Sequence, residues 1–301
     1  MGRVSAVVFR FTSLDRGWIM KTFFAALAFF SALASGWAAT TINATNKFAC
    51  GANLGWVNCR GDTSNGAIIG EYVCSGYIYA ANLGWINLGS GAPANGIQYQ
   101  NLADDDFGVN HDGFGNLRGY AYGANVGWIN FESTGTPRLN LLTGKLSGYA
   151  YSANCGWISL SNAMAHVQTD TVAPGADTDG DGIPDAWEQT WFGNLTTANK
   201  TSDYDADGST DRQEALADTN PLDAEDNLRI TSYIRYDTYN ILLWTSKPTR
   251  LYRMERRAAF DPDSAWELHI GLDWLGWDNI GFADFGPQGF YRIKAARPLS
   301  P

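Results

Sequence analysis

One eleven-residue motif occurs four times between residues 45 and 165, and it restricts the fold more than any other feature. The copies are Phe48–Asn58, Tyr77–Asn87, Tyr120–Asn130 and Tyr149–Ser159. Each runs from an aromatic residue through Ala-Asn-x-Gly to a tryptophan, a β-branched residue and Asn or Ser. The tryptophans, Trp56, Trp85, Trp128 and Trp157, stand 29, 43 and 29 residues apart. Recurrence at such intervals marks a repeat architecture, in which each unit buries its apolar face against its neighbours.

Locally the motif reads as a β-hairpin. Short aromatic and β-branched runs flank Ala-Asn-x-Gly, and both Asn and Gly tolerate positive φ in a tight turn. With Asn53 opposite Trp56, Cys50 falls opposite Cys59, and the matching pairs are Tyr79–Leu88, Tyr122–Phe131 and Tyr151–Leu160. A Cys50–Cys59 disulfide then replaces an aromatic–aliphatic cross-strand pair. Cys74–Cys155 follows by elimination among the four cysteines. The same register puts Tyr120, Tyr122, Ile129 and Phe131 on a core face and Trp128 on the other, with Ala121 and Gly123. A large ring over small residues suits packing between hairpins, and it also suits an open platform for a sugar ring. On the second reading Trp56, Trp85, Trp128 and Trp157 are candidate ligand-binding residues. The motif is similar to Gly-Trp repeats of secreted bacterial proteins.

Between copies two and three lies Ala103-Asp-Asp-Asp106, followed by Asn110, His111 and Asp112. A polar metal loop and a solvated turn are both compatible with this run. No ligand spacing repeats within it, which favours the turn.

The composition changes abruptly after a linker at residues 169–176. Residues 177–188 and 203–214 each match a twelve-residue calcium loop. In the first loop Asp177, Asp179, Asp181 and Asp185 stand at positions 1, 3, 5 and 9, Gly182 at 6 and Glu188 at 12. The second has Asp203, Asp205, Asp207 and Asp211, then Gly208 and Glu214, at the same positions. Calcium is a hard cation that takes about 6–8 oxygens at flexible geometry, and alternate residues of a tight loop can aim carboxylates inward. Glycine at position 6 allows the sharp turn. Ile183 and Ser209, at position 7, supply backbone carbonyls, and the two glutamates close the sites with both oxygens. Short helices are expected over Pro184–Phe192 and Thr210–Ala217. Two complete matches predict two calcium ions as cofactors at residues 177–226.

This spacing resembles dockerin-type and thrombospondin type 3 calcium repeats. The resemblance covers about 50 residues and implies paired loops that carry the metal. It departs from dockerins, whose loops end in aspartate. It departs from an EF-hand in lacking a long entering helix, since Pro174 and Gly175 lie just upstream. Binding energy at such loops becomes folding energy. Extracellular calcium fills even sites of about 10⁻⁴–10⁻³ M.

Residues 1–38 read as a secretory signal peptide. Lys21 precedes an apolar run from Phe23 to Ala34 and a small-residue exit near Ala38, with Met20 as the expected start. An uncleaved membrane anchor is the other reading of the run. The mature chain has no further membrane-spanning run. Residues 228–301 carry short strand signals at Ile230–Tyr236, Tyr239–Thr245, Leu251–Glu255, Trp266–Ile270 and Phe290–Ala295. They resemble small C-terminal β-sandwich modules of secreted bacterial proteins. Trp244, Trp266 and Phe290 are expected in the core of this module, and Trp274 and Trp277 are candidates for surface contacts. The fold expectation is therefore mainly β: a hairpin-repeat domain at 39–168, a calcium-loop segment with short helices, and a C-terminal β-sandwich.

Charge narrows the function. The 301 residues carry a formal net charge of −10. Removing residues 1–38 leaves 17 basic and 30 acidic side chains, a net charge of −13. Residues 177–226 hold 14 acidic side chains against Lys200 and Arg212, so the remainder is close to neutral. A nucleic-acid partner, which needs a basic patch, is excluded. The three histidines, His111, His166 and His269, sit in no catalytic motif, and no nucleophile elbow, zinc helix or phosphate loop is present. The expectation is a secreted, calcium-binding extracellular or cell-surface protein, a binding or adhesion module with a glycan or protein ligand. A purely structural matrix protein and a secreted carbohydrate-active enzyme are the alternatives.

Overall fold

The computed structural model describes residues 40–61, 64–257, 265–272, 275–283 and 289–300. The expected signal peptide and Trp274 lie outside them. The described chain is mainly β, with two short α-helices.

Strands β1 (Ile42–Gly51) and β2 (Gly55–Asn58) form the first hairpin. A short pair, β3 (Ile68–Ile69) and β4 (Cys74–Ser75), precedes the second, β5 (Tyr77–Ala80) and β6 (Gly84–Asn87). Strand β7 (Val109–His111) leads into the third, β8 (Leu117–Gly123) and β9 (Gly127–Asn130). The pair β10 (Arg138–Leu139) and β11 (Leu146–Ser147) precedes the fourth, β12 (Tyr149–Ser152) and β13 (Gly156–Ser159), and β14 (Val167–Thr169) follows. The eight hairpin strands pair antiparallel in chain order. The last returns to the first, with Cys50 opposite Ser159 and Gly51 opposite Ile158. The four repeats thus close into an eight-stranded barrel, which leaves its hairpin strands no open edge.

The register differs from the expected one, and the turn is the reason. Each hairpin ends in a glycine or small residue opposite a glycine: Gly51–Gly55, Ala80–Gly84, Gly123–Gly127 and Ser152–Gly156. The loop between them has three residues, and the closing Gly55, Gly84, Gly127 and Gly156 take φ of 77°, 80°, 72° and 78°. A three-residue loop that ends in a left-handed glycine is a standard hairpin connection. It moves the pairing by an odd number of residues, so the first strand of each hairpin changes face relative to the second. Tyr79, Tyr122 and Tyr151 therefore lie opposite Trp85, Trp128 and Trp157, and Cys50 lies opposite Trp56. Tyr122 belongs to the outer face with Trp128, whereas Ala121 lies opposite Ile129. Ile129 and Phe131 are core, as expected.

The interior alternates small and branched residues. Ala49 faces Val57, Ile78 faces Ile86, Ala121 faces Ile129 and Ala150 faces Ile158, all buried. One end is closed by the turn residues Leu54, Val126 and Cys155, which are buried, with Leu83 packed against the core. Gly51 and Gly123 make room for them, because a Cβ there would lie 2.8 Å from Leu54 Cδ2 and 2.7 Å from Val126 Cγ1. Beyond the hairpin strands, toward the residue that follows each Trp by three, Cys59, Leu88, Phe131 and Leu160 add a further buried layer.

The asparagines of the four turns form a ring. Asn53 Nδ2 donates to the carbonyl of Cys155 (3.1 Å), Asn82 to Leu54 (3.4 Å), Asn125 to Leu83 (3.0 Å) and Asn154 to Val126 (2.9 Å). Each turn is tied to the one before it, and the first is tied to the last.

The expected disulfides do not form: all four cysteines are free. Cys50 is on the outer face opposite Trp56, while Cys59 and Cys74 lie in the barrel core and Cys155 plugs its end. Burial pushes the Cys59 and Cys74 thiols up to about 12, so both stay protonated.

Residues 169–176 are not a free linker. Thr169 is fully buried, Val172 donates to Leu299 (2.9 Å), and Ala173 exchanges bonds with Ile69 and Glu71. Helices α1 (Asp185–Phe192) and α2 (Asp211–Ala217) follow, with Pro184 and Thr210 as N-caps. Thr210 and Gln213 form a reciprocal capping box. Ile183, Trp187, Ala198 and Ala215 build a small core between the helices.

The C-terminal module has two three-stranded sheets. One orders β15 (Ile230–Arg235), β16 (Asn240–Trp244) and β19 (Asn279–Phe282); the other orders β18 (Glu267–Leu272), β17 (Leu251–Arg257) and β20 (Phe290–Ala296). Leu242, Trp244 and Phe282 from the first and Tyr252, Met254 and Ala295 from the second share one core. Trp244 is buried as expected. Trp266 is not core: its ring lies 4.4 Å from the Arg292 guanidinium and 5.2 Å from that of Arg257. Phe290 is half-buried. Trp277 packs against the core rather than standing out as a surface contact.

Candidate functional site

The two acidic loops share their main bonds: the first aspartate accepts from the glycine at position 6 and the third from the residue at position 7. Asp177 accepts from the backbone N–H groups of Gly180 (2.9 Å) and Gly182 (3.0 Å). Asp203 accepts from those of Asp207 (3.2 Å) and Gly208 (3.0 Å). Asp181 accepts from Ile183 (2.8 Å), and Asp207 accepts from Ser209 (2.6 Å). Gly182 and Gly208 have φ of 89° and 95°, the left-handed turn at position 6. Gly182 has a second constraint, because a Cβ there would lie 2.7 Å from Arg212 Nε. The second loop's helix thus places its arginine against the first loop.

These turns bring Asp177, Asp179 and Asp181 together, and likewise Asp203, Asp205 and Asp207. In each triplet one carboxylate oxygen per residue lies within 4.8 Å of the others. Two glutamates add to this. Glu188 and Glu214 are buried, at 0% and 1% exposure, on the first turns of α1 and α2. Both Glu188 oxygens, Glu214 Oε2, and one oxygen each of Asp181, Asp205 and Asp207 are buried without a hydrogen-bond partner. Buried carboxylate oxygens without partners are costly, and here they cluster. Burial, reinforced by Asp181 and its neighbours, raises the Glu188 carboxyl to about 7. Burial, then Asp205 and Asp207, raises Glu214 to about 8. Asp181 and Asp205 are raised too, mainly by burial.

The remaining expected ligands also hold the loops in shape. Asp185 accepts from the N–H (2.7 Å) and hydroxyl (2.5 Å) of Thr178, and Asp211 from Tyr204 N–H (3.0 Å) and the Ser202 hydroxyl (2.5 Å). Both brace the loop against its helix. The Ile183 side chain is fully buried in the small core, which anchors the loop's midpoint, and Ser209 is half-buried. The residues present fit a cation: oxygen donors only, two aspartate triplets, and partnerless buried oxygens beside each.

The outer face of the barrel carries aromatic clusters. Trp56, Trp85, Trp128 and Trp157 are 45%, 45%, 42% and 47% exposed, so these rings are not packed between hairpins. Tyr79, Tyr122 and Tyr151 lie 5.0, 4.9 and 4.9 Å from the tryptophan of their own hairpin. In the first hairpin that place belongs to Cys50, and Phe48 lies 6.2 Å from Trp56, as the equivalent Tyr77, Tyr120 and Tyr149 lie 6.3, 6.2 and 6.1 Å from their tryptophans. Phe107, from the longer connection between copies two and three, reaches Trp128 at 5.1 Å.

The acidic run of that connection is a structural turn. Asp106 accepts from Ala94 (3.1 Å) and Gln100 (3.0 Å). Asp112 holds Phe114 and Asn116. His111 is buried, with Nδ1 2.9 Å from the Gly70 carbonyl and Nε2 accepting from Gly115 N–H. Burial lowers its pKa and keeps it neutral.

Sequence reasoning did not single out Phe107, Asn130, Glu132 or Thr134, which flank the tryptophans. The 43-residue spacing was the available signal for Phe107, since the insertion must go somewhere on the barrel's surface. Comparisons with protein-family models, curated proteins and solved structures return no match.

Proposed function

We propose that this chain is a calcium-binding extracellular or cell-surface protein of the binding or adhesion type. In this reading two calcium ions set the geometry of the segment between the barrel and the C-terminal module, and the barrel displays aromatic clusters to a glycan or protein ligand. The observation that carries it is the group of partnerless buried carboxylate oxygens beside each aspartate triplet. Calcium suits them because it takes many oxygens at flexible geometry, whereas nitrogen- and sulfur-seeking metals would find no histidine or thiolate in these clusters. The ligand set is Asp177, Asp179, Asp181 and Glu188 in one loop and Asp203, Asp205, Asp207 and Glu214 in the other, with the carbonyls of Ile183 and Ser209. Asp185 and Asp211 act from behind as loop braces. A bound ion would supply the counter-charge that these carboxylates lack.

Thermal melting with calcium and with excess chelator tests this. Calcium should raise Tm, and Asp177→Ala combined with Asp203→Ala should abolish the rise. Identical melting in chelator and in calcium sinks the assignment. The binding role of the barrel is supported by the half-exposed tryptophans: single exposed apolar residues are ordinary on a surface, but four aromatic clusters in equivalent positions are not.

A further inference from the structure

Two of the tryptophans border clefts with the same chemistry. The first cleft, about 210 Å³, is lined by Trp157, Tyr151, Asn130, Glu132 and Thr134. The second, about 360 Å³, is lined by Trp128, Tyr120, Phe107, Asn101 and Asp104. Each combines a tryptophan face, a tyrosine, an asparagine and a carboxylate, although the polar residues come from unrelated positions in the chain.

In the first cleft the polar wall is held in place by the backbone. Asn130 Oδ1 accepts the N–H of Glu132, and Glu132 Oε1 accepts the N–H of Gly119 (3.3 Å). That leaves Asn130 Nδ2 and Glu132 Oε2 for a ligand. Gly135 permits the approach of the wall to the fourth hairpin, because a Cβ there would lie 2.0 Å from the Tyr149 carbonyl oxygen and 3.1 Å from Trp157 Cζ3. In the second cleft Asn101 holds the loop by accepting from Gly108 N–H (3.0 Å), and Phe107 extends the aromatic surface beside Trp128.

We infer that these two clefts are glycan subsites for uncharged hexose units. An aromatic face offers an apolar platform to the C–H face of a sugar ring, while amide and carboxylate groups at its side pair with hydroxyls. The carboxylates decide the class of sugar. Glu132 and Asp104 accept hydrogen bonds from hydroxyls and repel uronate or sulfate groups. The volumes lie at or below the low end of the roughly 300–1,000 Å³ that holds drug-sized ligands, so each cleft takes one or two rings of a longer chain. The Trp56 cluster differs, because Lys47 lies over Phe48 (5.6 Å), a cation where the clefts carry an acid. Two subsites on one barrel would give avidity toward a polymer that spans both. The inference rests on reading the barrel as a binding module.

The test uses the full mature chain, loaded with calcium, on an array of neutral hexose oligosaccharides and uronate oligosaccharides of matched length. Binding to neutral chains should weaken by about tenfold in Trp157→Ala and in Trp128→Ala, as for a central aromatic contact. It should change by less than about twofold in Trp56→Ala. Glu132→Gln should raise the tolerance for uronates. Calcium-dependent melting that matches wild type confirms that each variant folds. Preference for uronates, or equal loss in Trp56→Ala, overturns the two-cleft inference and leaves the barrel as a binder through another face. No binding to any glycan overturns the inference, and a protein ligand then remains as the reading of the barrel.

Discussion

At the scale of single residues, the buried glutamates tie metal, charge and stability together. Glu188 and Glu214 titrate near 7 and 8 in the metal-free protein, above the ordinary glutamate value of 4.5. The folded state therefore holds protons that the unfolded chain has already lost. Between about pH 4.5 and 8 folding takes up protons, so stability falls as pH rises. In chelator, Tm should drop as pH is raised across that window, and saturating calcium should remove the drop, because the ion favours the ionised carboxylates. Differential scanning fluorimetry at several pH values reads both arms. A Tm that rises with pH in chelator contradicts the burial argument. The acidic positions themselves were legible in the sequence, because their spacing is the chemistry. The loop bonds of Asp185 and Asp211 were not, since spacing does not say which N–H or hydroxyl a carboxylate accepts from.

At the scale of elements, the hairpin turn is the informative unit. Its Asn-x-Gly was readable as a turn, and the helix limits at Pro184 and Thr210 were readable from proline and a capping threonine. The register was not readable. A two-residue and a three-residue loop suit the same residues, yet they put opposite faces inward. The asparagine has a role beyond its tolerance of positive φ, because its side chain bonds the neighbouring turn. Asn125→Ala should therefore cost about 1 kcal/mol, the net worth of one hydrogen bond. Gly127→Ala should cost at least about 1–2 kcal/mol, since alanine must take the left-handed φ of 72° with its Cβ 3.3 Å from Asn154 Nδ2. Urea unfolding of the two variants measures both. A neutral Gly127→Ala would show that the turn relaxes to another type. Strand β19 (Asn279–Phe282) was missed because four residues with a glycine at the third carry too short an alternation to detect.

At the scale of the whole molecule, one carboxylate joins barrel, helices and sandwich. Glu71, between β3 and β4, is buried and contacts Arg250 (2.9 Å) and Arg297 (2.8 Å) from the C-terminal module. Arg250 also donates to the carbonyls of Leu216 (2.8 Å) and Ala215 (3.3 Å) on α2, the helix that carries Glu214. Ala217 of the same helix enters the sandwich core. Removing the acid takes a carboxylate partner from two arginines and leaves buried Arg250 with Asp218 at 3.8 Å as its remaining acid. Breaking a buried pair costs about 3–5 kcal/mol. Glu71→Ala should lower stability by about 3 kcal/mol and split a single calorimetric transition into two, with the sandwich unfolding apart from the barrel. One unsplit transition at wild-type Tm would show that the node is incidental.

What the sequence determined by itself was local: four hairpins, two acidic loops, two short helices and most of the strands of a small sandwich. Each is encoded within about a dozen neighbouring residues, where spacing and turn chemistry act directly. Tertiary structure alone decided the closure of the barrel, the outward face of the tryptophans, the separation of the four thiols and the node at Glu71. All four depend on which strand meets which, and in what register. A short repeated motif leaves both open until the last hairpin pairs with the first.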